Sequence, residues 1–254
     1  MDSTHGRRSF LTWMCALAAL VSMPAVADFP DIVAQVKSSV VAVGTFQPTR
    51  NPQFKFRGTG FIAGNGNLVV TNAHVLGDPL DNNESFVIGV PAQGRVTVRP
   101  VVKQASDPDH DLLVLRFEGQ PLPALKLADS NAVREGQDIA FTGFPLGATL
   151  GVVAATNRGI VSAITPVGQP AVSASQLDAR SVRRLASGTY AVFQIDAVSY
   201  PGNSGSPLYD YHTGEVIGVM NMVFIKGLKE SALSSPSGIS YAIPSQYIKV
   251  LLTQ

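Results

Sequence analysis

The sequence predicts an all-β fold of two six-stranded antiparallel barrels, and three observations predict it. Short β-branched or aromatic runs recur along the first half, separated by turn formers such as Asn65-Gly66-Asn67. A second series of such runs follows a connection, Glu118-Gly119-Gln120-Pro121-Leu122-Pro123, whose prolines and glycines suit neither helix nor strand. Helical spacing brackets the strands near the start and at the end of the chain.

Residues 1–27 stand apart from the fold. Arg7-Arg8, the apolar stretch from Trp13 to Val21 and Ala25-Val26-Ala27 are the basic start, short apolar core and cleavage site of an export signal. The apolar stretch is shorter than the about 20 residues a membrane span needs, so no stable membrane anchor is expected after signal removal. Arg7-Arg8-Ser9-Phe10-Leu11 resembles a twin-arginine signal; an ordinary signal with an incidental arginine pair is the other reading. Either way the expected location is periplasmic or secreted, with the mature chain starting at Asp28. Its two expected domains are an N-terminal barrel over 28–120 and a C-terminal barrel over 121–254.

Phe29 to Lys37 reads as a short amphipathic helix, with Pro30 at its start and Ile32, Val33 and Val36 on one face. Strands are expected over Val40–Phe46, Gly58–Ala63, Leu68–Asn72, Phe86–Val90, Arg95–Gln104 and Leu112–Phe117. Seven runs follow the connection: Gln137–Thr142, Leu150–Thr156, Gly159–Ile164, Tyr190–Asp196, Pro207–Tyr209, Glu215–Phe224 and Gly238–Ile243. Gln176 to Ala186 has the spacing of a helix, within a long stretch from Thr165 to Gly188. Ser245 is placed to cap a terminal helix whose apolar side is Tyr247, Ile248, Leu251 and Leu252.

The one cysteine, Cys15, falls inside the signal, so the mature chain has no disulfide to rely on. A mature chain of 227 residues is large enough for cores to supply its stability. Without Asp2, Arg7 and Arg8, the 18 acidic and 19 basic residues fall to 17 of each, which leaves no basic field for nucleic acid. No H-E-x-x-H or G-x-x-x-x-G-K-[ST] motif is present, so no metal and no cofactor is expected.

The residues that carry chemistry are a histidine in Thr71-Asn72-Ala73-His74, an aspartate in Asp109-His110-Asp111-Leu112 and a serine in Gly202-Asn203-Ser204-Gly205. A serine hydroxyl is a weak nucleophile that needs a base beside it and a third group to orient that base. His74 is the candidate base: His5 lies in the signal, His212 in a hairpin connection and His110 in a polar loop, whereas His74 closes a strand. Asp111 is favoured as its partner because it directly precedes the run Leu112–Leu115. Asp109 is the main rival, and Asp107 competes across Pro108. The order His, Asp, Ser differs from the Ser, Asp, His order of α/β-hydrolases, and the glycine their nucleophile motif requires is replaced by Ser206.

Thr71-Asn72-Ala73-His74-Val75, Asp111-Leu112-Leu113-Val114-Leu115 and Gly202-Asn203-Ser204-Gly205 resemble the protease domain of the HtrA (DegP-type) branch of trypsin-like serine peptidases. The resemblance extends to Gly58-Thr59-Gly60-Phe61-Ile62, Ala140-Phe141-Thr142-Gly143-Phe144-Pro145-Leu146-Gly147, Asn157-Arg158-Gly159-Ile160-Val161-Ser162 and Ile239-Ser240-Tyr241-Ala242-Ile243-Pro244-Ser245, and so covers nearly the whole mature chain. It implies the chymotrypsin-like double barrel, with His74 and Asp111 from the first barrel and Ser204 from the second. Gly202 and Ser204 are expected to supply oxyanion-hole amides, with Asn203 contributing through the backbone between them. Gly143 to Gly147 either supports that loop, as in the family, or forms a plain turn.

By the same resemblance, Val198, Ser199 and Tyr200, with Met220, Asn221 and Met222, line the pocket for the residue before the scissile bond. Met220 and Met222 read equally well as core filler, since alternate residues of a strand face opposite ways. Val198 stands where relatives specific for basic residues carry an acid, so small or medium apolar residues are the expected preference. Little sequence follows the terminal helix where the family usually carries PDZ domains, and the segment from Gln47 to Lys55 is short where it often has a regulatory loop. Family members often form trimers through the N-terminal region; Phe29, Ile32 and Val33 could serve that contact or could pack the helix on its own barrel. The expected function is that of an exported serine endopeptidase acting on polypeptides, unfolded proteins among them. A non-catalytic polypeptide-binding or chaperone-like protein is the alternative, and an esterase on the same scaffold a third reading.

Overall fold

The computed structural model describes residues 28–92, 95–166, 190–221 and 238–253. The expected export signal, the expected helix over Gln176–Ala186 and Met222 lie outside the described residues. Twelve strands form two closed barrels. In the first, β1 (Val40–Phe46), β2 (Phe54–Ala63), β3 (Leu68–Asn72), β4 (Ser85–Ala92), β5 (Arg95–Asp107) and β6 (Leu112–Phe117) follow the spatial order β1-β2-β3-β6-β5-β4. In the second, β7 (Asp138–Gly143), β8 (Ala155–Pro166), β9 (Ala191–Asp196), β10 (Pro207–Asp210), β11 (Val216–Asn221) and β12 (Ile239–Pro244) follow the order β10-β11-β12-β9-β8-β7. Every pairing within them is antiparallel.

Three apolar cores hold this arrangement. Val41, Val43, Ile62, Val69, Ile88, Leu113 and Leu115 fill the first barrel, and Ile139, Phe141, Val161, Phe193, Ile195, Leu208 and Met220 fill the second. The third core lies between the barrels, where Phe61, Val70, Leu112 and Val114 of one meet Ala140, Tyr209, Val216 and Ile243 of the other. Alternation explains the division: Leu113 and Leu115 face into the first barrel, while Leu112 and Val114 face its partner. Burying each Val, Leu, Ile or Phe side chain among these contributes roughly 1.5–3 kcal/mol.

Two helices close the ends of this middle core. α1 (Phe29–Lys37) buries Ile32 and Val36 in it, and Phe29 stacks on Tyr211 at a ring separation of 4.1 Å. The apolar face of α1 is thus covered by the chain's own barrels. A four-residue turn of helix, α2 (Gly147–Leu150), follows β7, and α3 (Ser245–Leu252) buries Ile248 and Leu251 in the middle core. Ser245 does not cap α3. It is the first helical residue, and its hydroxyl donates to the Ala128 carbonyl at 3.0 Å.

The second barrel has six strands where seven runs were expected. Leu150–Thr156 is not a strand: its start completes α2, Gly151 turns the chain at φ 85°, and Val153 is 72% exposed. The strand begins only at Ala155, opposite Gly143, and runs through Gly159 to Pro166. Gly159, expected to open a strand of its own, lies inside β8, where the Asp196 carbonyl would sit 2.3 Å from any added Cβ.

Candidate active site

β3 ends at Asn72, and the next four residues, Ala73–Leu76, wind into a 3₁₀ turn that carries His74 out of the first barrel toward the second. Asp111 precedes β6 in a left-handed conformation, φ 54°, which turns its carboxylate back onto this turn. Its Oδ1 accepts the His74 backbone amide at 2.9 Å, and its Oδ2 lies 2.6 Å from His74 Nδ1. An ionised carboxylate can only accept, so Nδ1 carries the proton and Nε2 offers its lone pair. That lone pair meets Ser204 Oγ, 3.0 Å away on the second barrel's side.

The surroundings keep Asp111 ionised. Burial alone would raise its pKa. The His74 ring, by hydrogen bond and by charge, together with donors from Asn221 and the His74 amide, reverses that and holds it below the ordinary aspartate value. The rivals are engaged elsewhere: Asp107 Oδ2 lies 2.6 Å from His110 Nδ1, and Asp109 is exposed. The His110 ring stacks on Tyr247 of α3 at 3.8 Å, a packing role rather than one at Ser204.

Ser204, 6% exposed, sits in a loop whose polar backbone is almost fully committed. Tyr200-Pro201-Gly202-Asn203 is a tight turn closed by the Asn203 amide on the Tyr200 carbonyl at 3.0 Å. Its third residue, Gly202, has φ 103°, the conformation a type II turn reserves for glycine, and a Cβ there would meet the Phe144 carbonyl at 2.3 Å. The carbonyls of Pro201, Gly202 and Ser204 accept from the Leu146 amide at 2.8 Å, the Thr59 hydroxyl at 2.7 Å and the Thr59 amide at 2.9 Å. The amides of Gly205 and Ser206 donate to Met220 and Asn203 carbonyls, each at 3.0 Å. From Gly202 to Ser206, the backbone amides with no backbone acceptor among the described residues are those of Gly202 and Ser204. The Asn203 side chain is fully buried beside Gly143.

The six residues expected to line a pocket separate into groups. Val198, Ser199 and Tyr200 lie together in the segment between β9 and the Ser204 loop, Val198 and Tyr200 half-buried. Ser199 Oγ lies 2.8 Å from Ser240 Oγ, which in turn donates to the Ala197 carbonyl at 2.7 Å, pinning this segment to β12. Met220 belongs to the second barrel's core and is fully buried there. Strand alternation therefore turns Asn221 the other way, and its Nδ2 donates to Asp111 Oδ2 at 2.8 Å. Asn221 is thus a support for the carboxylate rather than a pocket wall, and Met220 is core.

Thr59 and Asn72, which have no chemical role in the sequence motifs, also support the site. Thr59 links first-barrel strand β2 to the Ser204 loop through both its hydroxyl and its amide, and that hydroxyl also accepts the Phe144 amide at 3.1 Å. Asn72 Nδ2 donates to the Asp111 carbonyl at 3.2 Å. The available signal for Thr59 was its place between Gly58 and Gly60, where backbones approach closely. Among the described residues no group of three or more His, Cys, Asp or Glu side chains could hold a metal ion.

Comparison with known proteins agrees with this architecture. The trypsin-like peptidase domain matches residues 58–219, more than half of the chain. A protein from Pseudomonas putida (strain GB-1) named "Probable periplasmic serine endoprotease DegP-like" is 30% identical over 188 residues, 74% of this chain and 32% of the relative. A mitochondrial serine protease HTRA2 from Drosophila pseudoobscura pseudoobscura is 31% identical over 233 residues, 87% of this chain and 46% of the relative. The chain thus spans a third to a half of the length of these curated relatives. The structure of the HtrA-type protease AlgW with a tripeptide superposes with a TM-score of 0.59 at 25% identity, covering 89% of this chain and 62% of that one. With the family match running from β2 to β11 and HtrA-type proteases among the relatives, the chain belongs to the trypsin-like peptidase family, in its HtrA branch.

Proposed function

We propose that the chain is a serine endopeptidase in which Ser204, His74 and Asp111 cleave peptide bonds through an acyl-enzyme. The observation that carries this reading is the relay from Asp111 Oδ2 through the His74 ring to Ser204 Oγ, with separations of 2.6 and 3.0 Å across two barrels. As Ser204 Oγ attacks the substrate carbonyl, His74 Nε2 takes its proton, and Asp111 stabilises the imidazolium that results. The carbonyl oxygen becomes an oxyanion, which the amides of Gly202 and Ser204 receive. The imidazolium then gives its proton to the leaving amine, and water, deprotonated by the same ring, releases the acyl group.

Val198, Ser199 and Tyr200 form one wall of the pocket for the side chain before the scissile bond. The apolar Val198 favours small or medium apolar residues there. The substrates are polypeptides. Export follows from the signal-like residues 1–27, with Arg7-Arg8 directing it to a twin-arginine route, and the periplasmic naming of the bacterial relative is consistent with that destination. Among the described residues no helix is long and apolar enough to cross a membrane. The first barrel's unit runs over 28–120 and the second's over 121–254.

The test is an active-site phosphonate together with a peptide-library cleavage profile, applied to protein starting at Asp28. Labelling and cleavage in the wild type, both abolished in a folded Ser204→Ala variant, are expected. Absence of labelling under all conditions, with polypeptide binding retained, would establish the non-catalytic binder instead.

A further inference from the structure

Leu146 is, with Asn83 and Asp111, one of three non-glycine residues among those described with a positive φ; its backbone sits at φ 52°, ψ 30°. L-residues with a Cβ adopt that left-handed region at a steric cost and hold it only where neighbours fix it. The neighbours here are its own turn, with the Gly147 amide on the Phe144 carbonyl at 3.1 Å and the Thr149 amide on the Leu146 carbonyl at 2.8 Å, and the Ser204 loop itself. Toward that loop Leu146 donates its amide to the Pro201 carbonyl at 2.8 Å.

A trans peptide points its C=O and N–H in opposite directions, and the Pro201–Gly202 bond is trans. Holding the Pro201 carbonyl against Leu146 therefore sends the Gly202 N–H the other way, out of the contact with the Leu146 segment. We infer that Leu146 is a positioning residue: its left-handed backbone aims the Pro201–Gly202 peptide so that the Gly202 amide serves the oxyanion. The inference rests on the endopeptidase reading and deepens it. Leu146 touches no reacting atom; it acts through the peptide it holds. Contact continues on both sides of this bond, since the Phe144 carbonyl closes on Gly202 and the Ser206 hydroxyl would sit 2.0 Å from a Cβ on Gly143. The two segments are thus packed backbone to backbone, and a change of backbone conformation at Leu146 has no slack to be absorbed in.

The experiment exploits the opposite demands of backbone and side chain. Leu146→Gly keeps the amide and favours positive φ while deleting the side chain. Leu146→Ile and Leu146→Val keep apolar bulk but, being β-branched, resist positive φ. Peptide turnover, the rate of phosphonate labelling at Ser204 and thermal unfolding are measured for all four proteins. The expected result is a glycine variant within a few-fold of wild type and β-branched variants that remain folded, keep KM, and lose about 10² to 10³ in kcat and in labelling, the usual cost of one oxyanion donor. Valine carries the comparison should the isoleucine variant not fold. β-branched variants as active as wild type, or a glycine variant that is the damaged one, overturn the inference in favour of simple side-chain packing. A wild type that neither cleaves nor labels instead overturns the endopeptidase reading, and this inference with it.

Discussion

Asn221 on β11 of the second barrel donates its side-chain amide to Asp111 Oδ2, on the first barrel, at 2.8 Å. The same oxygen receives His74 Nδ1 at 2.6 Å, so one carboxylate oxygen ties the base to both barrels. Asn221→Ala removes a neutral donor to a charged acceptor, a bond contributing roughly 1.5–3 kcal/mol, and is expected to lower kcat by about one to two orders of magnitude with little change in KM. Asn221→Asp should be worse, since two carboxylates at this distance cannot both ionise cheaply. While the new carboxyl keeps its proton it can donate to Asp111 as the amide did, so the loss is mildest at acid pH and deepens as pH rises and both groups ionise. A kcat/KM profile of both variants from pH 5 to 9 checks this; an Asn221→Asp enzyme as active as wild type at pH 9 would refute it.

Replacing Asp111 itself by Asn keeps the shape and removes the charge, and it invites the wrong tautomer at His74. The expected loss in kcat is about 10⁴. Stability supplies an independent readout with a defined sign. Asp111 titrates below its ordinary value when folded, so its contribution is complete above the unfolded-state pKa of about 3.9 and is lost as pH falls through the folded-state value. The difference in Tm between wild type and Asp111→Asn should therefore shrink below about pH 4. A difference that stays constant down to pH 2 would show the charge to be irrelevant to stability.

Thr59→Val conserves volume while stripping the hydroxyl that donates to the Gly202 carbonyl and accepts from the Phe144 amide. The buried Phe144 amide then loses its partner, at a cost of about 1–3 kcal/mol, and the part-buried Gly202 carbonyl loses its partner too. Because these groups belong to the Ser204 loop and to the turn packed against it, phosphonate labelling of Ser204 should slow along with the fall in Tm. Thr59→Ser, which keeps the hydroxyl, should restore both. If Val and Ser behave alike, the methyl group rather than the hydroxyl is what matters at this position.

The contrast between these sites and the strands shows what the chain makes readable. β1, β3 and β6 have the limits their β-branched runs predict, because local alternation and turn residues decide them. β2 begins four residues early, at Phe54, where Phe54 and Phe56 alternate with Lys55 and Arg57; the period is there, but the charges disguise it. Leu150–Thr156 misleads in the opposite way, since an apolar run says nothing of whether a partner strand reaches it. His74, Asp111 and Ser204 are legible because their chemistry is tied to residue type. Thr59, Leu146 and the true facing of Asn221 are not, because what matters there is a backbone approach between segments far apart in sequence, and period 2 says only that Met220 and Asn221 diverge.

Acid should also loosen the first barrel at a second carboxylate. Glu84 is held down to about 2 from an ordinary 4.5, chiefly by the Arg50 guanidinium at 2.6 Å and then by the Thr45 hydroxyl and the Asp81 amide. A depressed folded-state pKa means that its stabilisation is present above pH 4.5 and drains away as pH falls toward 2. Glu84→Gln should thus lower Tm at pH 7 and converge with wild type in acid. Melting curves taken from pH 7 down to pH 2 decide it, and parallel curves with a fixed offset would contradict the assignment.

Pocket chemistry gives the sharpest change of function. The segment carrying Val198 is pinned on both sides, at the Ala197 carbonyl by Ser240 Oγ and at the Ser199 hydroxyl by the same group, so a substitution there alters chemistry without freeing the wall. Val198→Asp places a carboxylate on the wall proposed to select apolar residues. Left unpaired in a half-buried site the charge is costly, which predicts a lower Tm. A substrate Lys or Arg supplies the missing partner, and that difference between paired and unpaired states is what turns a charge into selectivity. The library profile should therefore move from small or medium apolar residues toward Lys and Arg, by at least about tenfold in relative kcat/KM, roughly the 1.4 kcal/mol of a modest ion pair. An unchanged profile would place Val198 outside the pocket, and strong cutting after Lys or Arg by the wild type would show that some other acid already lines it.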